Sequence, residues 1–115
     1  MKTFTITVNP TPDVNQPSNE VFCNGSSTSL ISFSGSVIGT NFSWTNNNTS
    51  IGLGASGTGD ITSFITTNIT TSPVIANITV TPTYSNGGVN CTGPVKTFSI
   101  TVNPTPNVNQ PSDLS

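Results

Sequence analysis

The chain has no histidine and no arginine, and its only charges are Lys2 and Lys96 against Asp13, Glu20, Asp60 and Asp113. Each absence removes a class of chemistry. Without histidine there is no base for a Ser-His-Asp arrangement. Two cysteines and no histidine cannot close a four-ligand zinc site. Two lysines cannot displace the counterions of a nucleic acid, so no nucleic-acid partner is expected. No apolar run is long enough to cross a bilayer as a helix, and no membrane insertion is expected. A charged segment followed by an apolar stretch is also missing, so an exported protein would carry its signal upstream of this sequence. The carboxylates do not suggest a catalytic pair: Asp13 and Asp113 fall in linker-like segments, and Glu20 and Asp60 lack neighbours to tune them. Asp60 alone among glycines is too few oxygens for calcium. No catalytic residue, metal ligand or cofactor is assigned, and the chain reads as a non-enzyme.

What is present is Thr, Ser and Asn, nearly half of the 115 residues, with Ile and Val spaced among them. The spacing is that of strands. In Phe4-Thr5-Ile6-Thr7-Val8 apolar residues alternate with threonine, and Phe98, Ile100 and Val102 repeat the pattern. Ala76, Ile78, Val80 and Tyr84 share one parity, and Pro82 on that parity implies an end to regular pairing. Further strands are expected at Leu30–Phe33, Phe42–Trp44 and Ile61–Ile65, separated by Gly, Asn and Pro clusters. About seven short strands spaced in this way imply an all-β, antiparallel sandwich of the immunoglobulin-like type.

The segment TFTITVNPTPDVNQPS (3–18) returns as TFSITVNPTPNVNQPS (97–112), identical at 14 of 16 positions with an offset of 94 residues. A fixed period is the mark of a repeat architecture. The Asn-Pro-Thr-Pro connectors at 9–12 and 103–106 are stiff and cannot pair as interior strands. The expected division is therefore three-part. Residues 1–10 are the last strand and linker start of a preceding repeat, 11–104 are one sandwich repeat, and 105–115 are the linker and start of a following repeat. A second use of the first copy is an assembly strand. Phe4, Ile6 and Val8 form an apolar face that could add to another molecule.

Several stretches in fixed order carry a resemblance. They are Cys23-Asn24-Gly25, Phe42-Ser43-Trp44-Thr45, Ile51 to Gly57, Ala76 to Pro82, Cys91-Thr92-Gly93 and the closing Phe-x-Ile-Thr-Val-Asn-Pro-Thr-Pro. Together they resemble the PKD-like, immunoglobulin-like repeats of long secreted and surface proteins of Bacteroidetes. The resemblance implies a β-sandwich serving as spacer, stalk or adhesin segment at the cell surface or outside the cell. Its partners would be neighbouring repeats of the same protein. The alternatives are a filament subunit, self-assembling into fibres by strand addition, and a module binding surface glycans.

Gly52 to Gly57 spells G-x-G-x-x-G, but β-branched residues rather than a helix follow, so a turn is expected and not a phosphate site. Cys23 and Cys91 are expected to form a disulfide, worth about 4 kcal/mol in the chain-entropy model. That bridge requires Cys23 to lie in the first strand region or a longer excursion, because simple strand order sets the two at opposite ends. Trp44 is expected in the core of a sandwich, although with Tyr84 it could make a sugar-stacking platform. Lys96 is expected to snorkel at a strand start rather than form an internal crosslink. The Asn-x-Ser/Thr pattern marks Asn24, Asn41, Asn47, Asn48, Asn68, Asn77 and Asn90 as candidate glycosylation positions.

Overall fold

A computed structural model describes residues 1–108. Among these residues the chain is all-β, with a single 3-10 turn at Thr49–Ile51. Its strands are β1 (Glu20–Cys23), β2 (Asn41–Asn46), β3 (Ser56–Thr58), β4 (Val74–Asn86), β5 (Val89–Thr92) and β6 (Lys96–Asn103). They make one six-stranded sheet in the order β1-β6-β4-β2-β3, with β5 also paired to β4. The sheet is mixed rather than antiparallel throughout, because β1 runs parallel to β6.

The alternation read from the sequence explains the long strands. On β4, Ala76, Ile78 and Val80 are fully buried, and on β6 so are Phe98, Ile100 and Val102. These sets oppose each other in register, Ile78 against Phe98 and Ala76 against Ile100. Each such side chain stabilises the fold by roughly 1.5–3 kcal/mol relative to an exposed position. Pro82 does not end β4, which runs on to Asn86. Its C=O accepts from Gly93 N–H at 3.1 Å, so its backbone edge faces the gap where β4 changes partner from β6 to β5. The missing N–H falls where no ladder bond is needed.

Two expected strands are absent as such. Leu30–Phe33 and Ile61–Ile65 share the single isolated bridge Ile31–Ile61, and Ser27, ahead of the first segment, bridges Ile65. Side chains replace their ladder. Asp60 Oδ1 accepts from Phe33 N–H, Thr28 Oγ1 accepts from Phe64 N–H, and the Ser63 hydroxyl donates to Thr28 C=O. Hydroxyl and carboxylate side chains offer backbone groups this alternative to a sheet. Ile31, Phe33 and Ile61 still join the core over the inner face of the sheet, with the Phe33 ring centroid 6.2 Å from Phe42 and 6.1 Å from Phe98. The arrangement is compatible with a β-sandwich whose second layer is largely irregular.

The buried amides of Asn46, on β2, and Asn68 are bonded, whereas the buried Trp44 Nε1 has no hydrogen-bond partner. Asn46 Nδ2 donates to the carbonyls of Asn48, Leu53 and Gly54. Asn68 Nδ2 donates to those of Ser72 and Val102, both at 2.8 Å. Thr66 ties the segment after β1 by donating to Cys23 C=O while its own C=O accepts from Gly25 N–H.

Trp44 is buried on β2, and the glycine opposite it in register is Gly57 on β3. A Cβ at Gly57 would overlap the indole, 2.7 Å from Cε2. A Cβ at Gly54 would meet open space. Thus Gly57 of the G-x-G-x-x-G stretch serves ring packing, while Gly52, at φ 103°, caps the 3-10 turn. Gly57→Ala is expected to lower unfolding stability by about 1–3 kcal/mol through overpacking, with Gly54→Ala close to neutral. Urea denaturation of both variants checks this.

Candidate repeat junction

The same sequence occupies two environments. Phe98, Ile100 and Val102 of the second copy are 2%, 0% and 0% exposed, whereas Phe4, Ile6 and Val8 of the first are 83%, 80% and 86% exposed. The first copy therefore stands off the body with its apolar face uncovered. Its equivalent slot is an interior one, between β1 and β4, and β6 fills it.

Within residues 3–9 it is the polar parity that faces the rest of the chain. Thr5, Thr7 and Asn9 line an open hollow of about 300 Å³ with Asn86, Gly87 and Val89 at the β4–β5 hairpin tip. Asn9 closes it with two bonds. Its Nδ2 donates to Asn86 C=O at 3.1 Å, and its Oδ1 accepts from Asn86 Nδ2 at 2.9 Å.

Past Asn9 the chain is quickly held. Pro12 and Val14 are buried, and Pro12 C=O lies so close to Gly93 that a Cβ there would collide with it. The Asp13 carboxylate accepts from Ser36 N–H at 2.7 Å and from the Ser36 hydroxyl at 2.6 Å. Asn15 N–H donates to Ser34 C=O at 2.7 Å. Gln16 and Asn19 then bond the β6 backbone at Thr97 and Ser99 before β1 begins. The opening segment thus crosses from the irregular layer to the sheet. Asp13, expected in a linker, is an anchor of the body.

At the opposite pole the chain leaves β6. Asn24 N–H donates to Asn103 C=O at 2.9 Å, and Asn24 Nδ2 donates to Thr105 Oγ1 at 2.9 Å. Asn24 Oδ1 in turn accepts from Asn68 N–H. The rest of the 105–115 segment beyond 108, including Asp113, lies outside the described residues.

The expected Cys23–Cys91 bridge is not formed, and both residues are free thiols. Cys23 does lie in the first strand, but at its far end, beside Asn103. Cys91 pairs with Tyr84, ten positions along β4 from Val74, which lies beside Val102. At about 3.3 Å per residue that is roughly 33 Å, whereas bridged Cα atoms lie about 4.4–6.8 Å apart.

The remaining candidates separate by burial. Trp44 sits in the core and offers no face to a sugar, and Tyr84 is half-buried. Lys96 is half-buried at the start of β6. Asn68 is buried with its amide fully bonded, so it cannot accept a glycan in the folded chain. The side-chain amides of Asn24 and Asn48 each donate to a neighbour, while Asn41, Asn47, Asn77 and Asn90 are exposed. Among the described residues no cluster of three or more His, Cys, Asp or Glu could hold a metal ion, and no helix could cross a membrane. Comparison with known proteins found no matching family model, curated protein or solved structure.

Thiol placement and the Asp13 anchor can each be checked in solution. Cys23 and Cys91 should both react with a maleimide under native conditions, Cys23 faster, and reductant should leave the unfolding midpoint unchanged. The Ser36 hydroxyl, then its N–H, hold the Asp13 carboxyl below its usual range, with the Lys96 charge assisting. A depressed folded pKa means the Asp13–Ser36 contact is at full strength above the usual carboxylate range and is lost as pH falls through the lowered value. The Ser36 amide resonance should titrate with that lowered midpoint, and Asp13→Asn should abolish the titration.

Proposed function

We propose that the chain is one period of a tandem array, a non-enzymatic, PKD-like and immunoglobulin-like β-sandwich serving as a spacer or stalk segment of a secreted or surface-exposed protein. The observation that carries this reading is the contrast between the two copies, one with its apolar face buried in β6 and one with it bare. A strand patterned for a core slot, and lying outside its own core, belongs to the core of a neighbour. In an array, residues 3–8 are the last strand of the preceding repeat. The Pro-containing connector then leads directly into the anchored Pro12 and Asp13. The role is mechanical, with ladders bearing the load and stiff connectors keeping neighbours apart.

A second reading draws on the same bare face. Strand exchange would insert residues 3–8 of one molecule between β1 and β4 of another and so build a filament. It requires β6 to leave an interior position, whereas addition at a free edge would require no displacement.

Sedimentation across a range of concentrations, on the full chain and on one lacking residues 1–10, tests both readings, with electron microscopy of each. Monomers in both cases are the expected result for a spacer. Fibres from the full chain alone would replace that reading with the filament.

A further inference from the structure

The first copy carries information about its neighbour, because by the 94-residue offset Thr5, Thr7 and Asn9 correspond to Ser99, Thr101 and Asn103 of the repeat before. On β6 these three residues share the parity opposite the buried Phe98, Ile100 and Val102. They therefore lie on the outer face of the sheet. The hairpin tip that meets Thr5, Thr7 and Asn9 in this chain would meet that outer face in an array.

The face it meets is not uniformly polar. In register, Thr101 stands between Val21 on β1 and Ile75 on β4. Val21 and Ile75 are 64% and 55% exposed, and Val89 at the hairpin tip is 56% exposed. Three apolar side chains left bare in a single repeat thus fall at one place when two repeats are joined. Paired apolar positions that lie bare in one unit and meet in the next mark an interface.

The polar contacts on either side leave no slack. Asn103, the counterpart of Asn9, ends the ladder of one repeat, while Asn9 is clamped by Asn86 of the next. Thr105, the counterpart of Thr11, is held by Asn24. The residue after Thr11 is the buried Pro12.

Building on the tandem reading, we propose that consecutive repeats share a structured joint. The 86–89 hairpin tip of one repeat docks on the outer face of β1, β6 and β4 of the repeat before it, seating Val89 over Val21 and Ile75. The partner is a second copy of this repeat, joined through the connector.

The test uses a two-period chain in which residues 1–104 are followed by residues 11–115, which keeps the 94-residue period and contains the whole protein. Backbone 15N relaxation and methyl spectra are recorded for it and for the single chain. The expected result is one common tumbling behaviour for both periods, with the Val21 and Ile75 methyl signals shifted in the first period only. Val89→Ser in the second period, an exposed position, should uncouple the two and return those signals to their single-chain places while both periods stay folded. Two folded periods tumbling independently, with Val21 and Ile75 unshifted, would overturn the joint and leave the spacer reading intact. A two-period chain that fails to give two folded periods would overturn both.

Discussion

The structure depends on one interior lane of the sheet, the space between β1 and β4, and on its being filled by a strand with apolar residues at every second position. β6 fills it, and β1 has no other neighbour in the described sheet. Removing β6 would therefore dissolve the only ladder β1 has and the β4–β6 ladder, and would open Ala76, Ile78 and Val80 to water. The chain carries two segments able to occupy that lane. Within one molecule the choice is settled by connection: the segment at 97–102 follows β5 by a short link, so closing that loop costs little entropy. The segment at 3–8 lies outside that lane with its apolar face exposed. An exchanged strand of nearly the same sequence gains almost nothing over the native one, since it makes the same ladder and buries the same side chains. Exchange then competes against a tethered strand whose effective concentration is in the millimolar range for short linkers.

How much of this is legible in the residues depends on whether a pattern is self-sufficient. Strands β2, β4 and β6 announce themselves because alternation of apolar and hydroxyl residues has one simple solution, a half-buried strand. The duplication is legible for a different reason, since identity at a fixed offset needs no physics to detect. The 30–33 and 61–65 segments read as strands because short apolar, β-branched and aromatic runs follow turn-rich stretches. Ile31, Phe33 and Ile61 do enter the core, while Leu30 and Ile65 stay exposed, and Asp60, Thr28 and Ser63 supply bonds to backbone groups that would otherwise have formed a ladder. Pro82 misleads in the opposite sense. Proline forbids a donor, yet a strand can continue through it where the missing donor faces a gap between partners.

The cysteines and the parallel β1 illustrate what pattern alone does not supply. Cys23 and Cys91 share a local context, each followed by x-Gly, and that symmetry suggests a pair. Their separation is fixed by which way β1 runs, and direction is not encoded in any four-residue strand. Once β1 lies parallel to β6, its last residue must sit at the pole where β6 ends, far from the β4–β5 hairpin. Trp44 is legible as core, but its partner is not. The glycine pattern at 52–57 conceals a close approach of Gly57 to the indole among residues that are otherwise turn formers.

Scarcity of charge shapes the remaining problem, which is how such a surface avoids unwanted association. Lys, Glu and Asp are the usual guards of sheet edges, and this chain has six charged residues in all. The edges are instead kept short: β3 has three residues and β1 has four. Short edges offer few backbone groups to a foreign strand, and the irregular second layer offers only isolated bridges. The long exception is the apolar segment at 3–8, and its hazard depends on context. Where a preceding repeat exists, that segment lies in the interior lane of its neighbour, flanked on both sides and no longer an edge. On the proposed tandem reading, connection would do for this protein what surface charge does for others, by covering the apolar face of Phe4, Ile6 and Val8 that is bare in the single period.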